Sequence, residues 1–116
     1  MVRYIGRMVQ SLTPQQAQEL ISRGDVDVVD VREDREWQGG HVPGARHVPL
    51  DRLRAAPEAS LRRDGVIFVC AAGVRSQTAA RLAEARGLKT IYNLSGGTRG
   101  WTNAGLPLVN DARPAP

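Results

Sequence analysis

The residues with the clearest capacity for chemistry lie in one short stretch, Cys70-Ala71-Ala72-Gly73-Val74-Arg75-Ser76. Cys70 is the chain's one cysteine, and it directly follows the apolar run Val66-Ile67-Phe68-Val69. The pattern predicts a thiol just past the carboxyl end of a buried strand, on a loop of small residues that leads into a helix. In open α/β sheets that end of a strand is where ligands bind. Successive backbone N–H groups of such a loop can turn inward around an anion, and the free amides of a first helical turn add to them. Ala71, Ala72 and Gly73 have little side-chain bulk, so the backbone itself can approach a ligand, and Arg75 sets one permanent cation at the rim. A free cysteine titrates at about 8.5, and helix N-termini and nearby cations lower that value. The expected species is a thiolate, nucleophilic without a His or Asp base. The competing role is that of an inert, buried small hydrophobe. The position between strand and helix favours the reactive role.

Composition bounds what surrounds this loop. The 116 residues suit one domain, 41% apolar and 24% charged, well away from a disordered composition. Such a chain buries roughly two-thirds of its unfolded surface. Only five aromatics are present, so the core must be aliphatic and rich in alanine. A lone cysteine excludes an intrachain disulfide and a cysteine-based zinc site. His41 and His47, the chain's histidines, are separated by a Pro-Gly break that gives poor metal spacing. Residues 1–12 hold Arg3 and Arg7 but no continuous apolar stretch, and the run Val66 to Val74 is too short to span a bilayer. The expected setting is soluble, reducing and cytoplasmic, with no membrane partner.

Charge is unevenly spread. The total is +4, and fifteen of the sixteen cations are Arg, with Lys89 alone. Residues 1–60 carry eight cations and nine acids, whereas residues 61–116 carry eight and three, a net +5 in the half with the thiol. Such a field would favour a small anionic substrate, and the plain alternative is a solvated Arg-rich surface. Nucleic acid is not expected, because Arg62, Arg63, Arg75, Arg81, Arg86 and Arg99 form no dense run with aromatics between them.

The elements that must position the loop alternate between strand and helix. Thr13, Pro14 and Gln16 spell a helix start with a capping box, Ala17, Leu20 and Ile21 its apolar stripe, and Gly24 its end. Val26 to Val31 reads as a strand, Asp34 to Gln38 as a short helix stopped by Gly39-Gly40, and Arg46 to Val48 as a brief strand. Residues 51–63 are weakly helical and interrupted by Pro57. Val66 to Val69 is continuously apolar, as a strand covered on both faces should be. Ser76 to Arg86 is the clearest helix, with Ala79, Leu82 and Ala83 inward and Gly87 capping it. Thr90 to Leu94 is a further strand, and a Gly-flanked helical segment surrounds Trp101. The alternation implies an α/β fold with a mostly parallel sheet.

Three separated segments carry a family resemblance. Val29-Asp30-Val31-Arg32-Glu33 through Gly40-His41-Val42-Pro43-Gly44-Ala45, the Cys70–Ser76 loop, and Ser95-Gly96-Gly97 through Trp101 to Pro107 occur in that order. In these the chain resembles a single-domain rhodanese, a sulfurtransferase. The resemblance, which covers roughly residues 11–109, implies a five-stranded, mostly parallel sheet flanked by helices on both faces; one domain is expected over residues 1–109, and residues 110–116 read as a flexible tail. It further implies that Cys70 attacks a sulfane sulfur, such as that of thiosulfate, and expels sulfite. The resulting persulfide then passes its outer sulfur to cyanide or a thiol, on a small molecule or a protein. Ala71, Ala72, Gly73, Val74, Arg75 and Ser76 would bind substrate and stabilise the persulfide's charge, with no metal or organic cofactor.

Loop length separates this reading from a cysteine-dependent phosphatase. Phosphatases of that kind carry Cys-x5-Arg, the arginine forking two phosphate oxygens. Here Arg75 is five positions after Cys70 and Ser76 is the sixth, so the loop is one residue short. Asp30 and Arg32 read as a structural ion pair or loop anchor supporting the site. His41 reads as a turn or core residue, Trp37 and Trp101 as core anchors, and Gly96 and Gly97 as points of close backbone approach or positive φ. A different class stays open beside the enzyme: a sulfur-carrier or regulatory binding module of the same type, loaded and unloaded by partner proteins.

Overall fold

The computed structural model describes residues 3–4 and 9–110. Arg3–Tyr4 (β1) pairs antiparallel with Val9–Leu12 (β2). The expected capping box then opens α1 (Pro14–Arg23): Thr13 Oγ1 accepts from the Gln16 amide and Gln16 Oε1 from the Thr13 amide. Gly24 ends it at φ 77°, a left-handed conformation that glycine adopts without strain. Asp27–Asp30 (β3), Asp34–Gln38 (α2) and Arg46–His47 (β4) follow. Pro57 divides the next stretch into Leu50–Ala55 (α3) and Pro57–Ser60 (α4). Val66–Val69 (β5), Arg75–Ala85 (α5), Ile91–Leu94 (β6) and Gly97–Asn103 (α6) complete the order.

The sheet runs β1-β2-β6-β5-β3-β4, and every pairing except that of β1 is parallel. Five parallel strands therefore carry a two-residue antiparallel strand at one edge. Their alternation divides the core in two. Val66, Phe68 and Cys70 face one side with Val29, Leu53, Ala79, Ala80, Ala83 and Ile91. Ile67 and Val69 face the other with Val28, Ala17, Val42, Leu94 and Trp101. Helices α3 and α5 cover the first face, α1 and α6 the second, which is why β5 is apolar at every position.

The strand β2 was not legible as a strand, because Val-Gln-Ser-Leu has no period-2 apolar pattern. Val9 and Leu12 belong to opposite faces of the core. Trp37 is also corrected. It is a half-buried residue at the periphery of the core, its ring stacked on His41 (centroids 3.5 Å apart) and on His47 (4.9 Å). Trp101 is a core anchor, 2% exposed, with Nε1 donating to the Pro107 carbonyl at 2.8 Å. His41 is buried and its backbone exchanges hydrogen bonds with Val109. Among the described residues no helix is long and apolar enough to cross a membrane. Of the tail expected over 110–116, all beyond Asn110 lies outside the described residues.

Candidate active site

Strand β5 delivers Cys70 to its carboxyl end, and the loop 71–74 turns directly into α5, whose first two residues are Arg75 and Ser76. The loop curls around the sulfur. The Gly73 amide donates to Cys70 Sγ at 3.0 Å, and Ser76 Oγ lies 3.4 Å from it. Gly73 takes φ 95°, which brings its amide inward and which a larger residue resists. The thiol forms the floor, with Cys70 1% exposed, while Ala72 and Val74 stand at the exposed lip. Burial pushes the thiol pKa up. The Ser76 hydroxyl and the amides of Ser76, Ala72 and Gly73 oppose it, and the net result is a thiol held below its ordinary value.

What forces the loop amides inward is the start of α6. The Thr98 amide donates to the Cys70 carbonyl at 2.8 Å and the Arg99 amide to the Ala71 carbonyl at 3.1 Å. With the Ala71 carbonyl drawn outward, the Ala72 N–H of the same trans peptide is turned the opposite way, toward the sulfur. Gly97 makes the approach possible. A Cβ there would run into the Cys70 carbonyl oxygen and lie 2.6 Å from that of Ala71, at a backbone φ of +60°. The sequence expectation for Gly97, close approach or positive φ, describes both of its properties. Gly96 also has positive φ, 76°.

Asp30 and Arg32 are joined in a buried ion pair at the carboxyl end of β3. Arg32 Nε and Nη2 donate to the Asp30 carboxylate at 3.0 and 2.8 Å, and Nη2 also donates to the Gly40 carbonyl at 2.8 Å. The pair fastens the 39–44 segment to the sheet and makes no hydrogen bond to the Cys70 loop.

Two residues join the site that sequence reasoning missed. Asn93, buried on β6, accepts a short hydrogen bond from the Ser76 hydroxyl. Its signal was a polar residue between apolar ones in Ile91-Tyr92-Asn93-Leu94, at the position that alternation turns toward α5. Glu36, on α2, grips Arg75 at both ends of its carboxylate, 2.7 and 2.8 Å from Nη1 and Nη2. Arg75 holds the Glu36 carboxyl down at about 2, so the pair is ionised throughout the neutral range. The rim cation expected at Arg75 is thus present but neutralised. Arg86 is likewise paired with Glu58 at 2.5 Å, so the +5 of the second half is partly cancelled in space by acids of the first. Among the described residues, no three His, Cys, Asp or Glu side chains gather as metal ligands would.

A sheet of this order with a cysteine cradled after its central strand defines a class, and comparison with known proteins gives it a family. The profile of the rhodanese-like domain family matches residues 13–104, and the chain belongs to that family. It is 33% identical to the putative sulfur carrier protein YrkF of Bacillus subtilis over 85 residues, 73% of this chain and 46% of that protein, so it spans less than half of that relative. It is 30% identical to the thiosulfate sulfurtransferase GlpE of Haemophilus influenzae, over 85% of this chain and 93% of the relative. Among solved structures it is similar to a rhodanese-related protein from Thermoplasma volcanium, with a TM-score of 0.78 at 30% identity, covering 87% of this chain and 98% of that one.

Proposed function

We propose that the chain is a sulfurtransferase that carries sulfane sulfur as a Cys70 persulfide. In the first half-reaction the Cys70 thiolate attacks the outer sulfur of a donor such as thiosulfate. A sulfur–sulfur bond forms to Cys70, the donor's own bond to that sulfur breaks, and sulfite leaves with the electron pair. In the second, a thiol or cyanide attacks the outer sulfur of the persulfide and the Cys70 thiolate is regenerated. The transferred sulfur keeps its oxidation state, so the cycle balances without a redox cofactor. A protein whose one cysteine must stay free of disulfides to work suits a reducing compartment such as the cytoplasm.

The observation that carries this reading is a nearly enclosed sulfur that nonetheless has donors aimed at it: 1% exposed, with the Gly73 amide at 3.0 Å. Ala71 to Ser76 line the cradle, acting on developing charge as an oxyanion hole does, while Asp30, Arg32 and Gly97 support it. So tight a seat suits a single terminal sulfur better than a tetrahedral phosphate, and its arginine is held by Glu36 rather than turned to fork phosphate oxygens. The test is thiocyanate formation from thiosulfate and cyanide, run beside hydrolysis of an aryl phosphate. Sulfur transfer without phosphate release is expected; phosphate release without sulfur transfer would overturn the assignment.

Ser76 has one hydroxyl proton and two acceptors. While Cys70 is a thiol, Ser76 gives that proton to Asn93; once Cys70 ionises, the stronger charge-assisted bond is to sulfur. Ser76→Ala removes this donor. The pH–rate profile for persulfide formation should then shift to higher pH, and the rate near pH 7 should fall by roughly tenfold, the value of one hydrogen bond to a charged group. An unshifted profile would show that the backbone amides alone set the thiol.

A further inference from the structure

We propose that Glu36 sets donor specificity: by neutralising Arg75 at the lip of the cradle, it favours sulfane sulfur carried on a thiol, as in a persulfide, over a free dianion such as thiosulfate. This rests on the sulfurtransferase reading and concerns which donor the same site accepts.

The charges at the lip decide it. Arg75 is the loop's one cation, and both of its terminal nitrogens are turned to Glu36 rather than across the cradle. Glu33, at the other end of the same helical turn, adds a second negative field on Arg75. Arg32, whose charge also acts on Glu36, is committed to Asp30 and to the Gly40 carbonyl. The loop's other side chains beside the cradle, Ala71, Ala72 and Val74, are uncharged, the last 71% exposed. A thiosulfate dianion would leave water for a loop whose one cation is already paired with Glu36, and desolvating an anion without a partner is costly. A persulfide donor brings at most one charge at the transferable sulfur, which the inward amides accept, and an apolar or protein-borne carrier can rest on Val74. The transfer balances as before: the Cys70 thiolate bonds to the outer sulfur, the donor's sulfur–sulfur bond breaks, and the donor thiolate leaves.

The test is Glu36→Gln, assayed with thiosulfate and with the persulfide of a neutral thiol, N-acetylcysteamine, as parallel donors. Glutamine keeps the acceptor that Glu36 Oε1 offers to the Glu33 amide at 3.0 Å, so the start of α2 is preserved. With Arg75 released, KM for thiosulfate should fall by roughly fivefold, an effect that shrinks as salt is raised, while the persulfide parameters stay within about twofold. A donor-selective, salt-sensitive change is not what a loosened loop would give; that would impair both donors together. Unchanged donor preference, or equal loss with both, would overturn the role of Glu36 while leaving persulfide chemistry intact. Failure of wild type and variant to load sulfur from either donor would instead overturn the sulfurtransferase reading beneath it, and the proposal with it. Thermal unfolding of the variant, with Glu36→Asp as a charge-preserving companion, separates folding from specificity. Wild-type-like donor preference in the aspartate variant is expected, and a glutamine-like preference there would contradict the charge argument.

Discussion

Substituting Cys70 with serine is expected to abolish sulfur loading, by at least roughly a thousandfold, or about 4 kcal/mol of barrier. The hydroxyl stays protonated near neutrality, and His41, the buried histidine, hydrogen-bonds to the Trp37 carbonyl instead of approaching the cradle. The loop amides can stabilise an anion but cannot make an oxygen attack sulfane sulfur at a comparable rate. Folding should be almost unaffected. Serine is slightly smaller, and its oxygen can accept from the Gly73 amide as the sulfur does. Unfolding by denaturant should give a change within about 1 kcal/mol, so lost activity in a well-folded variant isolates the nucleophile. Sulfite release surviving in Cys70→Ser would place the chemistry elsewhere.

Gly97→Ala should damage both fold and site. A methyl group there meets two carbonyls of the Cys70 loop and is attached to a residue at φ +60°. Left-handed backbone costs a non-glycine residue about 1–2 kcal/mol, and overpacking a filled site costs about 1–3 more. A loss of about 3 kcal/mol is expected, lowering the melting temperature by roughly 10–20 °C for a domain of this size. The same displacement would stretch the Thr98 and Arg99 hydrogen bonds that draw the Cys70 and Ala71 carbonyls outward. The surviving folded protein should therefore titrate its thiol at higher pH than wild type. Gly105→Ala is the control: it shares positive φ, 81°, but a Cβ there has no atom within 4 Å. Only backbone strain should appear, with the thiol unchanged. Equal effects at the two glycines would contradict the close-approach argument.

The parts of this fold that were legible in the sequence are those governed by local rules. Helix α1 is announced by Thr13, Pro14 and Gln16, and α2 ends at Gly39-Gly40 as read. The expected strand over Val26 to Val31 contracts to Asp27–Asp30, and the helix expected from Ser76 to Arg86 begins and ends one residue earlier. In the site, the position of Cys70 between strand and helix was readable because small residues, a glycine and an arginine sit within seven positions. The partners were harder. Glu36 lies 39 residues from Arg75, and nothing in Asp-Arg-Glu-Trp-Gln says which cation that carboxylate meets. The uneven charge of the two halves pointed to a positive field at the thiol, whereas folding brings Glu36 and Glu58 onto Arg75 and Arg86. Charge counted along a chain says little about charge at a site when ion pairs cross between halves.

The measurement closest to the central claim is the intact mass of the protein before and after incubation with a sulfane sulfur donor, followed by peptide mapping. Wild type should gain the mass of one sulfur atom, carried on the peptide that contains Cys70 and removed by cyanide, while Cys70→Ser should gain none. An unmodified wild-type protein after exposure to both thiosulfate and a persulfide donor, or a sulfur atom that maps to another residue, would contradict it.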